Sequence, residues 1–161
     1  MSVVGVLSDE YFGTRRKPEE VGRDIETLIE TYAAKWHKRD VLLIGFSRGA
    51  DALPIALAHM SEATRKRVIL AAMLGPAMHA ELEKTSWWQF RDPPEAIALA
   101  PIVRSIKGVR FLCVHGEEED DSLCDALPGV VVDVKTRGAH HFDRDYEALA
   151  RTILSALPKS P

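Results

Sequence analysis

Three stretches of this chain are apolar at successive positions: "DVLLIGF" (residues 40–46), "RVILAAMLG" (67–75) and "VRFLCVHG" (109–116). A strand with one wet face alternates apolar with polar residues, whereas a strand covered on both faces does not. Runs of this kind, separated by segments with helical periodicity, belong to a mostly parallel sheet flanked by helices. That class also says where to look for chemistry. Ligands bind beyond the carboxyl ends of the strands, so reactive residues should follow strands rather than precede them.

The remaining elements fit this scheme. "VVGVL" (Val3 to Leu7) reads as a first short buried strand, and "VVVDV" (Val130 to Val134) as a last one, which makes about five strands. Pro18 opens a helix with Glu19 and Glu20 at its positive end, and Val21, Ile25, Leu28, Ile29, Tyr32 and Trp36 recur at helical spacing. A second helix is predicted over Gly49 to Met60, with Pro54 near the first turn, where a missing N–H matters least. A last helix is predicted from near Asp143, with Tyr146, Leu149, Ala150, Ile153 and Leu154 on one side. The stretch from Pro76 to Ile106 is irregular and holds "KTSWWQFRDPPE"; it reads as an excursion over the sheet rather than a core element. With 161 residues, 46% of them apolar and 28% charged, the chain suits one domain over residues 1–161.

Composition removes several function classes. A net charge of −3 without a long basic block argues against nucleic acid as a partner. No apolar run approaches the roughly 20 residues that span a bilayer. The start, "MSVVGVLSDEYF", lacks the basic and long apolar regions of a signal peptide, which implies the cytoplasm if Met1 is the natural start. Cys113 and Cys124 match no zinc motif; free thiols are the default, and one bridge is the alternative in an oxidising compartment. No cofactor is called for. His140, His141 and Asp143 form a rival zinc set, disfavoured because adjacent histidines point apart. His37, His59, His79 and His115 show no partner pattern and read as surface or satisfied residues.

Three motifs follow strands. "GFSRG" places Ser47 between Gly45 and Gly49 after the second strand, in the pattern G-x-S-x-G; the acidic run "GEEEDD" (Gly116 to Asp121) follows the fourth, and "GAHHFD" (Gly138 to Asp143) the fifth. The alternative for Ser47 is a plain strand-to-helix turn whose serine caps the helix. The order Ser, acid, His is that of the α/β-hydrolase triad. A serine hydroxyl needs a base within hydrogen-bond reach, histidine supplies it, and a carboxylate fixes the tautomer. The N-terminus of the following helix favours an oxyanion, with the Arg48 N–H as donor. His140 is the preferred base, with His141 as alternative. Asp121 leads as the acid because "DSLC" resembles the turn after such an aspartate, with Asp120 and Glu119 as alternatives.

"RDVLLIGFSRGADALPIAL", "FLCVHGEEEDDSLC", "GAHHFDRDYEALARTIL" and "VVGVLSDEYFGTRRKPEEVGRDI" together resemble the bacterial virulence protein family of VirJ and the carboxy-terminal domain of AcvB. The resemblance implies an α/β hydrolase exported to the periplasm and, for AcvB-type members, hydrolysis of lysyl-phosphatidylglycerol. By motif it implies Ser47 as nucleophile, His140 as base and Asp121 as orienting acid. A lysyl ester carries ammonium groups that Glu117, Glu118, Glu119 or Asp120 would suit, while Arg15, Arg16, Lys17 and Arg48 would suit a lipid phosphate. Phe46 joins this substrate-binding set, and Trp87, Trp88 and Phe90 would form a lid or a surface for acyl chains. Peripheral membrane contact and secretion-system proteins are the partners implied. The family also has a strand and a glycine-rich loop before "VVGV", and that loop supplies an oxyanion N–H. Without it, turnover is expected to fall roughly 100- to 1000-fold, and the open sheet edge invites a second copy. The readings are then an enzyme lacking one donor, a non-catalytic binding protein, or a protomer completed by association.

Overall fold

The computed structural model describes residues 1–83 and 96–158. In chain order these form α1 (Ser8–Tyr11), α2 (Pro18–Lys35), β1 (Val41–Phe46), α3 (Arg48–His59), α4 (Glu62–Arg65), β2 (Val68–Leu74), β3 (His79–Ala80), β4 (Ile97–Ala98), α5 (Leu99–Ser105), β5 (Phe111–Gly116), β6 (Val132–Thr136) and α6 (Tyr146–Ser155). The main sheet has the order β1-β2-β5-β6 and every pair in it is parallel; β3 and β4 form a small antiparallel pair.

The unalternating runs of β2 and β5 are explained by two cores, one on each face, whereas Ile44 and Phe46 of the edge strand β1 are exposed. Ala71, Met73, Phe111 and Cys113 face α2, α3 and α5, together with Val21, Ile55, Leu57, Leu99 and Val103. Leu70, Ala72, Leu74, Leu112 and Val114 face the other way, onto Phe142 and the α6 residues Ile153 and Ala156. Successive side chains on β2 and β5 therefore enter opposite cores, and both must be apolar.

Four sequence expectations are corrected. The main sheet has four strands among the described residues, because Val3 to Leu7 form none. Val3 and Leu7 are exposed, so the burial that would fix this segment in the sheet is not realised. The last strand lies two residues later than Val130 to Val134. Gly129 at φ +72° and the Val130 N–H bond to Leu127 O turn the chain first, and pairing runs from Leu112↔Val132 to Gly116↔Thr136. The last helix starts at Tyr146, where Asp145 Oδ1 accepts from the Ala148 N–H at 2.9 Å. The stretch after residue 95 contributes core, since Leu99 and Val103 of α5 are fully buried.

Cys113 and Cys124 are bonded, contrary to the default of two free thiols. The bridge ties β5 to a short 3₁₀ turn, Leu123–Ala126, and closes the loop that carries the acidic run. For a loop of this length the chain-entropy model gives about 3 kcal/mol. Cys113→Ala/Cys124→Ala is expected to lose about that much in urea unfolding.

Candidate active site

Ser47 stands between the end of β1 and the start of α3 with φ +52° and ψ −123°, a conformation that costs a non-glycine residue of order 1–3 kcal/mol. Its N–H donates to Leu74 O at 2.9 Å, which fixes the turn against the end of β2. Room is needed on one side only. A Cβ on Gly45 would lie 2.2 Å from Gly49 O, whereas a Cβ on Gly49 would meet nothing within 4 Å. Here Gly45 is small because the helix backbone crosses it.

His140 Nδ1 lies 2.6 Å from Glu119 Oε1, and Glu119 Oε2 accepts from the Gly116 N–H at 2.7 Å. An ionised carboxylate only accepts, so Nδ1 carries the proton of this bond and Nε2 is turned away from it. The carboxylate that meets His140 is Glu119, not the expected Asp121. Asp120 and Asp121 are exposed, and the left-handed backbone of Asp121 (φ +59°) carries the chain away into the 3₁₀ turn. His141 is also exposed and packs beside Phe46, ring centroids 5.7 Å apart.

Gly75, which the sequence reading passed over, makes space for this pair. It has φ +61°, and a Cβ there would lie 2.8 Å from the His140 ring and 3.4 Å from Glu119 Oε1. Ser47 is bonded to Leu74 and His140 rests on Gly75, so both approach the same end of β2. Phe46 links them further, its ring 5.1 Å from that of His140. Among the described residues no hydrogen bond joins Ser47 Oγ to His140. The His140 loop carries backbone strain: Phe142, Asp143 and Arg144 all have positive φ. Among the described residues, five of the six non-glycine residues with positive φ, all but His37, lie in the three loops of this site.

A cavity of about 550 Å³ opens beside Ser47, lined also by Ser8, Asp9, Phe46, Arg48, Asp51, Ala77, His79 and Glu81. Its size suits a small-molecule ligand. Ser8 and Asp9, the first two residues of α1, form part of the cavity wall. Of the expected binding residues, Phe46 and Arg48 line this cavity, whereas Arg15, Arg16, Lys17 and Glu118 do not. Arg48 NH1 donates to Glu81 O and Glu83 O at 3.2 and 2.8 Å, so the guanidinium ties down the cavity wall. Arg15, Arg16 and Lys17 line a separate cavity of about 120 Å³ with Leu82 and Ile97; Arg16 Nε donates to Tyr11 O. Glu118 is exposed, its N–H bonded to Gly138 O. Trp87, Trp88 and Phe90 lie outside the described residues.

Asp51 was missed, although its spacing of four from Ser47 puts it one helical turn on, on the same face. Burial pushes its carboxyl up to about 7, against the opposing effects of the Ala77 N–H at 2.8 Å, Arg48 and His140. A carboxyl whose folded pKa exceeds its unfolded value destabilises the fold as pH rises between the two. Wild type is expected to lose stability relative to Asp51→Asn from about pH 4 to pH 7, by on the order of 2–4 kcal/mol, and to stay level above. Urea unfolding of both proteins across that range checks this.

A parallel sheet sandwiched by helices, with a strained serine at a strand-to-helix turn and a histidine–carboxylate pair at the next strand ends, defines an α/β-hydrolase-like fold. A solved esterase from Pyrococcus furiosus is similar, with a TM-score of 0.58 at 16% identity over 86% of this chain and 62% of the esterase, a likeness of fold. The chain thus spans less than two thirds of that esterase's length. The VirJ family, described as bacterial virulence protein, matches residues 1–160, and the chain belongs to it. No curated protein matches the chain.

Proposed function

We propose that this chain is a serine hydrolase that cleaves an ester through an acyl-enzyme. The observation that carries the reading is the 2.6 Å His140–Glu119 bond beside a strained Ser47. Glu119 holds the Nδ1–H tautomer, so His140 Nε2 takes the Ser47 proton as Oγ attacks the acyl carbon. The Arg48 N–H, at the first turn of α3, faces no intrahelical acceptor and supports the developing oxyanion. His140 then gives its proton to the leaving alcohol, and water repeats the sequence to free the acid and restore Ser47. The Ser47–His140 bond closes when substrate binds, as is common in free enzymes.

The substrate we favour is the aminoacyl ester of lysyl-phosphatidylglycerol. Support comes from the VirJ membership and from Asp51 in the cavity wall, which would give up its proton to pair with an ammonium group. Such a substrate implies peripheral contact with a membrane; among the described residues no helix is long and apolar enough to cross one. The disulfide supports a periplasmic location. A fluorophosphonate probe is expected to label wild type but not Ser47→Ala or His140→Ala, and lysine is expected to be released from lysyl-phosphatidylglycerol vesicles. No labelling of folded wild type sinks the hydrolase reading and leaves a binding protein that engages secreted proteins or secretion machinery. Labelling without lysine release sinks the substrate alone.

A further inference from the structure

We propose that Cys113, His115, Cys124 and Asp133 form a thiol-gated site for a divalent cation of the zinc class, closed while the disulfide stands and opened when it is reduced. The site lies on the face of the sheet where β5 meets β6. Cys113 and His115 are two apart on β5 and share a face, and Asp133 is the parallel partner of Cys113 on β6. Cys124 comes down onto them from the 3₁₀ turn.

His115 is the observation that points to a ligand. It is fully buried, and neither ring nitrogen has a hydrogen-bond partner. Nε2 lies 3.2 Å from Asp133 Oδ1 but off the hydrogen-bond direction, and Nδ1 lies 3.9 Å from Asp125 Oδ2. A buried, unpaired polar group is costly and uncommon. Donor atoms of His115, Cys124 and Asp133 already lie within 4.8 Å of one another. Zn–N near ~2.0 Å and Zn–S near ~2.3 Å set tetrahedral ligand atoms roughly 3.3–3.8 Å apart, so closure by about 1 Å suffices. Cys113 supplies a fourth ligand once freed. Asp125 Oδ2, 3.9 Å from Nδ1, would accept from His115 Nδ1–H after a similar closure, as the carboxylate that commonly orients a zinc-bound histidine.

The chemistry balances with a dithiol as reductant. Its thiolate attacks one sulfur of the bridge, and its second thiol resolves the mixed disulfide. Two electrons pass to Cys113 and Cys124, both of which become thiols, and the reductant becomes a disulfide. The cation then displaces two thiol protons and binds both sulfurs, His115 and Asp133. Exchange with the disulfide form of that dithiol re-forms the bridge, passes the two electrons and protons back to the dithiol and expels the ion. In either state the loop closed by Cys113 and Cys124, which carries Glu119, stays clasped at its base.

The test is titration of the full chain with Co²⁺, before and after reduction by a phosphine, read by thiolate-to-cobalt charge-transfer absorption. Reduced protein is expected to take up one equivalent with a tetrahedral spectrum, and oxidised protein none. His115→Ala should weaken binding more than about 100-fold and Asp125→Asn by about 10- to 100-fold. Reduced protein with native circular dichroism and no stoichiometric uptake overturns the proposal, as does equal uptake by oxidised protein or equal affinity in His115→Ala. If reduction alone unfolds the chain, recovery of the native spectrum with Zn²⁺ supports the site, and failure to recover overturns it.

Discussion

Ser47→Ala is expected to lower ester turnover by about 10⁴- to 10⁶-fold, with KM changed little. The hydroxyl is the atom that forms the acyl bond, so its loss removes the covalent route rather than weakening one contact. The variant should still fold. The Ser47 N–H bond to Leu74 O is made by the backbone, and the side chain makes no hydrogen bond among the described residues. Alanine at φ +52° bears the same backbone strain as serine, so unfolding midpoints should stay close together. Turnover of a chromogenic short-chain ester, measured beside urea unfolding, checks both halves. Activity retained within tenfold would mean that some other group is the nucleophile.

Glu119→Gln is the second large effect, expected at about 10⁴-fold in kcat, while Asp121→Asn should stay within a few fold. Glutamine keeps the shape of the side chain and can still accept from the Gly116 N–H. Its amide group, however, can donate to His140 Nδ1. That favours the tautomer with the proton on Nε2, which has no lone pair to offer Ser47. A rate deficit that shrinks as pH rises would point instead to a shifted titration; a wrong tautomer persists across the plateau. Equal losses in Glu119→Gln and Asp121→Asn would remove the assignment of the acid. The contrast matters because three adjacent carboxylates compete for one role, and only their loop geometry separates them.

The elements around the elbow were legible because each depends on neighbours in sequence. Unalternating apolar runs require two covered faces, and β2 and β5 do enter two cores. Pro18 opens α2, and the crowding at Gly45 arises within five residues, between the end of one strand and the start of the next helix. Diverging neighbours told only that one of His140 and His141 would face the serine; the contact with Glu119 falls to His140.

What the sequence by itself determined was the strand-turn-helix at Ser47 and the order of the three loops, because spacing and periodicity set those locally. Tertiary structure alone decided that Glu119 reaches His140, that Gly75 clears room for the pair, and that Cys113 joins Cys124. It also left Val3 to Leu7 outside the sheet and His115 buried without a partner. The physical reason is the same in each case. These contacts join residues from different strands and loops, and a distance across a sheet depends on register and backbone turns that no single stretch of sequence encodes.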